Sequence, residues 1–182
     1  MAQETRYIRF TRGIDEQSVT NLMNHLQAQI QSGINHIVIL FSSTGGNVYW
    51  GMTAYTFLKG LPAQVDFHAF GRVNSVAIPI YCAGNRRYVA PNTSFMMHGI
   101  GFNVPQKMRF NLKSLTARMM GLESDTNTIC RVISENCEKT IEEIKAEMFE
   151  GRIWTTEQAL EFGLAHERKQ ELFPEGANVI TI

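Results

Sequence analysis

Charge of one sign, long apolar runs and paired cysteines are all missing from this sequence. Its 17 basic and 17 acidic residues give a formal net charge of zero, which argues against the basic field that general nucleic-acid or membrane-surface binding needs. No apolar run reaches about 18 residues and the N-terminus lacks a signal-peptide core, so a cytoplasmic protein is predicted. Cys82, Cys130 and Cys137 are an odd number without metal-ligand spacing, which predicts free buried thiols in a reducing compartment.

Linkers, internal repeats and low-complexity stretches are also absent from the 182 residues. This length suits one hydrophobic core, so residues 1–182 are predicted to form a single domain. Helices alternate with apolar strands through the first half, which predicts an α/β fold with a mainly parallel sheet. The predicted strands are 36–41, 64–70, 86–90 and 94–98.

The second half is mainly helical, and one long helix is predicted from Asn111 to about Cys137. Its apolar seam follows three- and four-residue steps, with an interruption at Thr126. Such a seam fits either docking on another helix or packing on the chain's own core, and periodicity does not decide between them. The seam residues are Leu112, Leu115, Met119, Leu122, Ile129 and Ile133.

Two glycine-containing turns follow apolar strands. In Ser43-Thr-Gly-Gly-Asn47, paired glycines permit positive φ and can present backbone N–H groups as an oxyanion hole, although a simple tight turn fits equally. In Gly71-Arg-Val-Asn-Ser75-Val-Ala77, a serine stands at a strand–turn–helix corner. Ser75 there is either a helix N-cap or a nucleophile whose oxyanion the local N–H groups stabilise.

A histidine closes the last apolar strand of the first half, in Phe95-Met-Met-His98-Gly-Ile-Gly101. Flexible glycines after it would let His98 project into a cleft as a general base, while a satisfied structural histidine is the alternative.

In order and spacing, these segments resemble the proteolytic subunit of the Clp protease family, which shares its fold with the crotonases. The resemblance runs from about Ile8 to His166 and includes Pro91-Asn92 before the histidine and a late helix that ends in Gly163-Leu164. It implies a Clp/crotonase-like repeated β-β-α superhelical core with a long protruding handle helix, the handle region covering about 99–137.

The resemblance implies a serine-type endopeptidase that hydrolyses peptides or unfolded proteins through an acyl-enzyme, inside a self-compartmentalising ring of identical subunits. It makes Ser75 the nucleophile, His98 its base, and the N–H groups of Gly46 and Val76 the oxyanion hole. No metal or organic cofactor is implied. An ATP-dependent unfoldase is the usual partner, although the N-terminus begins about where the family's first core strand begins, which argues against stable docking.

Two departures from the family pattern stand side by side. Gly151 occupies the position of the catalytic aspartate, so either Glu150 or Glu147 reaches His98, or a backbone carbonyl or water orients it. Phe149-Glu150 occupies the position of an Asp-Arg pair used across the ring–ring contact, which is therefore expected to differ here.

Other functions stay open on the sequence. Gly151 favours a catalytically weakened or regulatory Clp-like ring subunit. A crotonase-like acyl-CoA enzyme would use the same oxyanion hole without needing Ser75 and His98 together. A serine–lysine dyad of Ser75 with Lys107 or Lys113 is conceivable, as in signal-peptide peptidases of the same superfold, but His98 fits its pattern better.

Overall fold

A sheet with helices packed against it forms the core of the chain. The computed structural model describes residues 4–101, 104, 107 and 109–182. Within these residues the strands are β1 Thr5–Phe10, β2 His36–Ser43, β3 Gln64–Asn74, β4 Arg87–Val89, β5 Ser94–Met96, β6 Ile153–Trp154, β7 Glu167–Arg168 and β8 Val179–Thr181. The helices are α1 Glu16–Gln31, α2 Val48–Lys59, α3 Ala77–Cys82, α4 Leu112–Cys137, α5 Ile141–Glu150 and α6 Thr156–Glu161.

The sheet is mainly parallel, as predicted. Its main path runs β6-β5-β3-β2-β1-β8, with β4 beside β3 and β7 beside β4. Of the strand pairs in the described residues, β5 with β6 alone is antiparallel. The central strand β2 is buried on both faces from Ile37 to Phe41, which explains its unbroken apolar sequence.

Strand β3 is longer than the sequence predicts, and its extra length leads to Ser75. The pairing of β2 with β3 is regular up to Phe41 opposite Ala69, then shifts, and resumes at Ser43 opposite Val73. Beyond the shift, β3 also pairs with β5, from Arg72 opposite Ser94 onward. The irregularity around Gly71 therefore shifts the pairing of β3 with β2 without ending the strand.

The seam of α4 divides into two parts. Ile129 and Ile133, near its C-terminal end, are buried in the core, whereas Leu112 and Met119 near its start are 82% and 61% exposed. The division falls near Thr126, whose hydroxyl donates to the carbonyl of Leu122 at 2.7 Å. The second half of the seam therefore packs on the chain's own core, while docking of the exposed first half on another helix stays a prediction. Residues 102, 103, 105, 106 and 108 of the predicted handle region lie outside the described residues.

Capping boxes fix where the two later helices begin. Thr140 accepts from the N–H of Glu143 at the start of α5, and Thr155 accepts from the N–H of Gln158 at the start of α6. In the part of the chain that the structure describes, no helix is long and apolar enough to cross a membrane.

Candidate active site

Ser75 lies at the corner between β3 and α3. Its φ of 56° is left-handed, and its N–H donates to the carbonyl of Met96 at 2.7 Å. The N-cap interpretation of Ser75 is wrong, because the N-cap position belongs to Val76 and no side chain caps α3. A non-glycine residue with left-handed φ persists only where its surroundings hold it, and such residues concentrate at functional sites.

The paired glycines let the turn after β2 approach this corner closely. A Cβ on Gly45 would lie 2.7 Å from the carbonyl oxygen of Asn74 and 2.8 Å from Cβ of Ser75, so position 45 accepts only glycine without movement. Ile14 pairs with the turn by donating to Gly45 O at 2.9 Å and accepting from Asn47 N–H at 2.8 Å. The N–H of Gly46 takes no part in this pairing.

His98 is brought beside Ser75 by the parallel pairing of β3 with β5. Asn74 lies opposite Met96, so the residues that follow each strand are neighbours. The imidazole is exposed, and its Nδ1 lies 2.7 Å from the carbonyl oxygen of Gly99. A carbonyl oxygen only accepts, so this contact holds the proton on Nδ1 and leaves the lone pair of Nε2 free for a hydroxyl.

All four residues assigned to catalysis line one cavity of about 100 Å³. The hydroxyl, the imidazole and two backbone positions therefore face the same space, although no hydrogen bond joins Ser75 to His98. The backbone N–H groups of Gly46 and Val76 donate to no other described backbone group. The four are Ser75, His98, Gly46 and Val76.

The rest of the cavity wall is apolar, and most of it was not predicted. Ile129 and Ile133 come from the buried half of α4, and Met148 comes from α5. Met148 lies four residues after the buried Ile144 on the same face of α5, a spacing that marks it as inward-facing. An apolar side chain would fit this wall while its carbonyl faces Ser75.

Gly151 stands between α5 and β6, the strand that pairs with β5. The antiparallel register pairs Phe95 with Trp154 and Met96 with Ile153, so His98 and Gly151 each lie two residues beyond the last pair, at the same end of the ladder. Gly151 ends α5 with a left-handed φ of 67°. The position that the resemblance gives to the aspartate therefore lies at the same end of the ladder as His98, but it lacks a side chain.

The two glutamates considered as substitutes face other partners. Glu147 accepts from the indole N–H of Trp154 at 3.2 Å and lies 3.6 Å from Arg152. The Glu150 carboxylate lies 4.0 Å from Arg152. Neither glutamate lines the cavity that holds His98, and neither does Lys107 or Lys113.

The cysteines are free and buried, as predicted. Burial raises the pKa of Cys82 to about 12 and also raises the pKa of Cys130, whose Sγ lies 3.5 Å from Sδ of Met148 behind the cavity wall. A thiol with a raised pKa is a poor nucleophile at neutral pH, because the thiolate is the reactive form. Burial also raises the pKa of Cys137, to about 11, so Ser75 has no thiol competitor among the three.

Comparison with known proteins assigns the chain to a family. The family model described as Clp protease matches residues 1–169. The chain belongs to the Clp protease family. Its fold matches a point mutant of ClpP1 from Listeria monocytogenes with a TM-score of 0.81 at 22% identity, covering 91% of this chain and 92% of that one. This match confirms the predicted Clp/crotonase-like fold.

Two curated relatives are named ATP-dependent Clp protease proteolytic subunit 2. The protein from Thermobifida fusca is 30% identical over 137 residues, which cover 72% of this chain and 64% of the relative. The protein from Pseudomonas aeruginosa is 24% identical over 168 residues, which cover 91% of this chain and 81% of the relative. The chain therefore spans slightly less than two thirds of the first relative's length.

Proposed function

We propose that this member of the Clp protease family is a serine-type endopeptidase with Ser75 as nucleophile and His98 as general base. The observation that carries the proposal is the shared cavity, in which Ser75, His98 and the backbone of Gly46 and Val76 face one another beside an apolar wall. The parallel register of β3 and β5, which brings the serine and histidine loops together, supports it.

Acyl transfer follows from this arrangement. Ser75 Oγ attacks the peptide carbonyl carbon while its proton passes to Nε2 of His98, and the oxyanion that forms accepts from the N–H groups of Gly46 and Val76. As the C–N bond breaks, the imidazolium returns the proton to the leaving amine. Water, deprotonated by the same nitrogen, then hydrolyses the acyl-enzyme and restores Ser75.

We expect this peptidase to be slow. The Gly99 carbonyl fixes the tautomer of His98, but a neutral carbonyl stabilises the imidazolium less than an aspartate would. Loss of the triad carboxylate costs about 10⁴-fold in turnover in a serine protease. The second candidate function, a weakened or regulatory ring subunit, is favoured by the same feature, a glycine at the position that the resemblance gives to the aspartate.

Assembly into a ring of identical subunits is part of the proposal. The first half of α4 leaves Leu112, Met119 and Met120 at least 61% exposed, and Phe149 is 90% exposed. Exposed apolar surface on this scale is typical of protein contacts. An unfoldase partner remains implied by the resemblance alone.

The deciding test of the proposal is covalent labelling of the native protein. A fluorophosphonate should modify one serine, identified by peptide mass mapping as Ser75, and Ser75→Ala should remove the label. His98→Ala should slow labelling at least about 100-fold, since a positioned general base contributes about 10²–10⁴ in rate. Label on another serine, or label retained in Ser75→Ala, would reject the assignment.

A further inference from the structure

The catalytic cavity is small for a peptide. Its volume of about 100 Å³ is below that of an engineered protein cavity of about 150 Å³ that binds benzene. Under the proposed function, the residues flanking the scissile bond must therefore leave the cavity along the protein surface.

A groove of about 500 Å³ lies between α2 and α4, next to the cavity. Val48 lines both the cavity and the groove, so the two spaces are neighbours on either side of this residue. One face of α2 forms the floor, from Val48 to Phe57, and Tyr49 on that face is 69% exposed. The rise of an α-helix makes this floor about 14 Å long, enough for about four residues of extended peptide.

The groove is formed before any ligand arrives. Asn136 of α4 donates from Nδ2 to the hydroxyl of Tyr55 on α2 at 3.3 Å, which ties the two helices together. Gly51 of α2 packs so closely on Val76 that a Cβ there would overlap Cγ2 of the valine. Both helices that form the groove are thus anchored to each other or to the catalytic corner.

One wall of the groove carries a negative charge. Asp125 of α4 is exposed there and forms no ion pair with a described residue. A cation on a bound peptide would be attracted to this carboxylate, whereas an anion there would be repelled.

We propose that this groove binds the peptide chain on one side of the scissile bond and favours apolar segments with a basic residue beside Asp125. The inference rests on the proposed function. The position of the groove next to the cavity favours a peptide substrate over a second copy of the chain as the occupant, since a peptide that leaves the cavity past Val48 enters the groove directly.

The first test measures peptide binding without turnover. In the Ser75→Ala background, fluorescence anisotropy would compare apolar peptides of about ten residues that carry either Lys or Glu near one end, with the basic residue placed at each end in turn. In one of the two placements, the Lys peptide should bind about two- to fivefold tighter, which is the range of an exposed ion pair. The difference should shrink in 1 M NaCl, where the Debye length is about 3 Å.

Matched variants test separately what the charged wall and the α2 floor of the groove contribute to peptide binding. Asp125→Asn should abolish the preference for Lys, while Glu123→Gln, which removes an equal charge from another face of α4, should preserve it. Tyr49→Ala should weaken binding of the ten-residue peptides at least about fivefold, whereas Tyr49→Phe should bind them about as tightly as the wild type. Equal binding of the Lys and Glu peptides in both placements would overturn the proposal, as would a change of oligomeric mass in Tyr49→Ala without a change in peptide affinity. Because no turnover is needed, this failure is distinct from failed labelling of Ser75.

Discussion

The residue that most limits the proposed chemistry is Gly151, which stands where the family pattern has an aspartate. A Cβ added there meets nothing within 4 Å, and aspartate is among the few residues that tolerate its left-handed φ. We expect Gly151→Asp to raise peptide turnover at least about tenfold, because a carboxylate beside the imidazole stabilises the imidazolium. The free energy of unfolding should fall by about 1 kcal/mol, since the strained φ suits glycine best. Steady-state hydrolysis of a fluorogenic peptide measures the gain.

Gly151→Asn is the matched control, because asparagine has the same shape and the same tolerance of positive φ without the charge. It should cost similar stability and give little gain in turnover. Glu147→Gln and Glu150→Gln should each stay within about threefold of wild type, since both carboxylates face Arg152. A hundredfold loss in either variant would show that a glutamate supports His98 after all.

At the scale of elements, α2 packs closely against the start of α3 at Gly51, which contacts the Val76 side chain. Ala is about 1 kcal/mol better than Gly inside a helix, yet Gly51→Ala should destabilise the protein by about 1–2 kcal/mol. The added methyl would overlap Val76, and overpacking a core costs roughly 1–3 kcal/mol. Urea denaturation gives the change in free energy of unfolding.

Two comparisons separate the overlap from helix propensity. Gly121→Ala in α4, where a Cβ meets nothing within 4 Å, should stabilise by up to about 1 kcal/mol. Adding Val76→Ala to Gly51→Ala should cost less than the two single changes together, because the truncated valine makes room. Strict additivity would mean that the two residues do not press on each other.

Elements with a strong local signal could be predicted from the sequence, and elements that depend on pairing could not. The apolar run of β2 and the periodic apolar seam of α4 are signals of this local kind. The extension of β3 to Asn74 could not be predicted, because it depends on β5 and on a register shift near Gly71. Strands β6 to β8 are two or three residues long, too short to show an alternating pattern.

The same limit applies to the candidate site. Its polar residues, Ser75 and His98, could be chosen from the sequence because their turns are poorly explained as structure alone. The contact of His98 with the Gly99 carbonyl is a matter of side-chain rotamer, and Met148 enters the cavity wall through tertiary packing of α5. Neither leaves a mark that one sequence can show.

For the whole molecule, the exposed half of α4 predicts self-association through an apolar contact. Met119 is 61% and Leu112 82% exposed, and formal neutrality leaves little repulsion between copies. Met119→Glu would place a carboxylate in such a contact, where an unpaired buried charge is costly. We expect its assembly to dissociate at micromolar concentration, as measured by light scattering, while circular dichroism remains that of the wild type.

Ala117→Glu is the control, because Ala117 is exposed two residues earlier and therefore points to nearly the opposite side of the helix. It adds the same charge and should leave the mass unchanged. An apolar contact is not screened by salt, so the wild-type mass should also persist in 1 M NaCl, unlike an assembly held by ion pairs. A wild-type monomer at micromolar concentration, or equal dissociation of both variants, would contradict a contact through this face of α4.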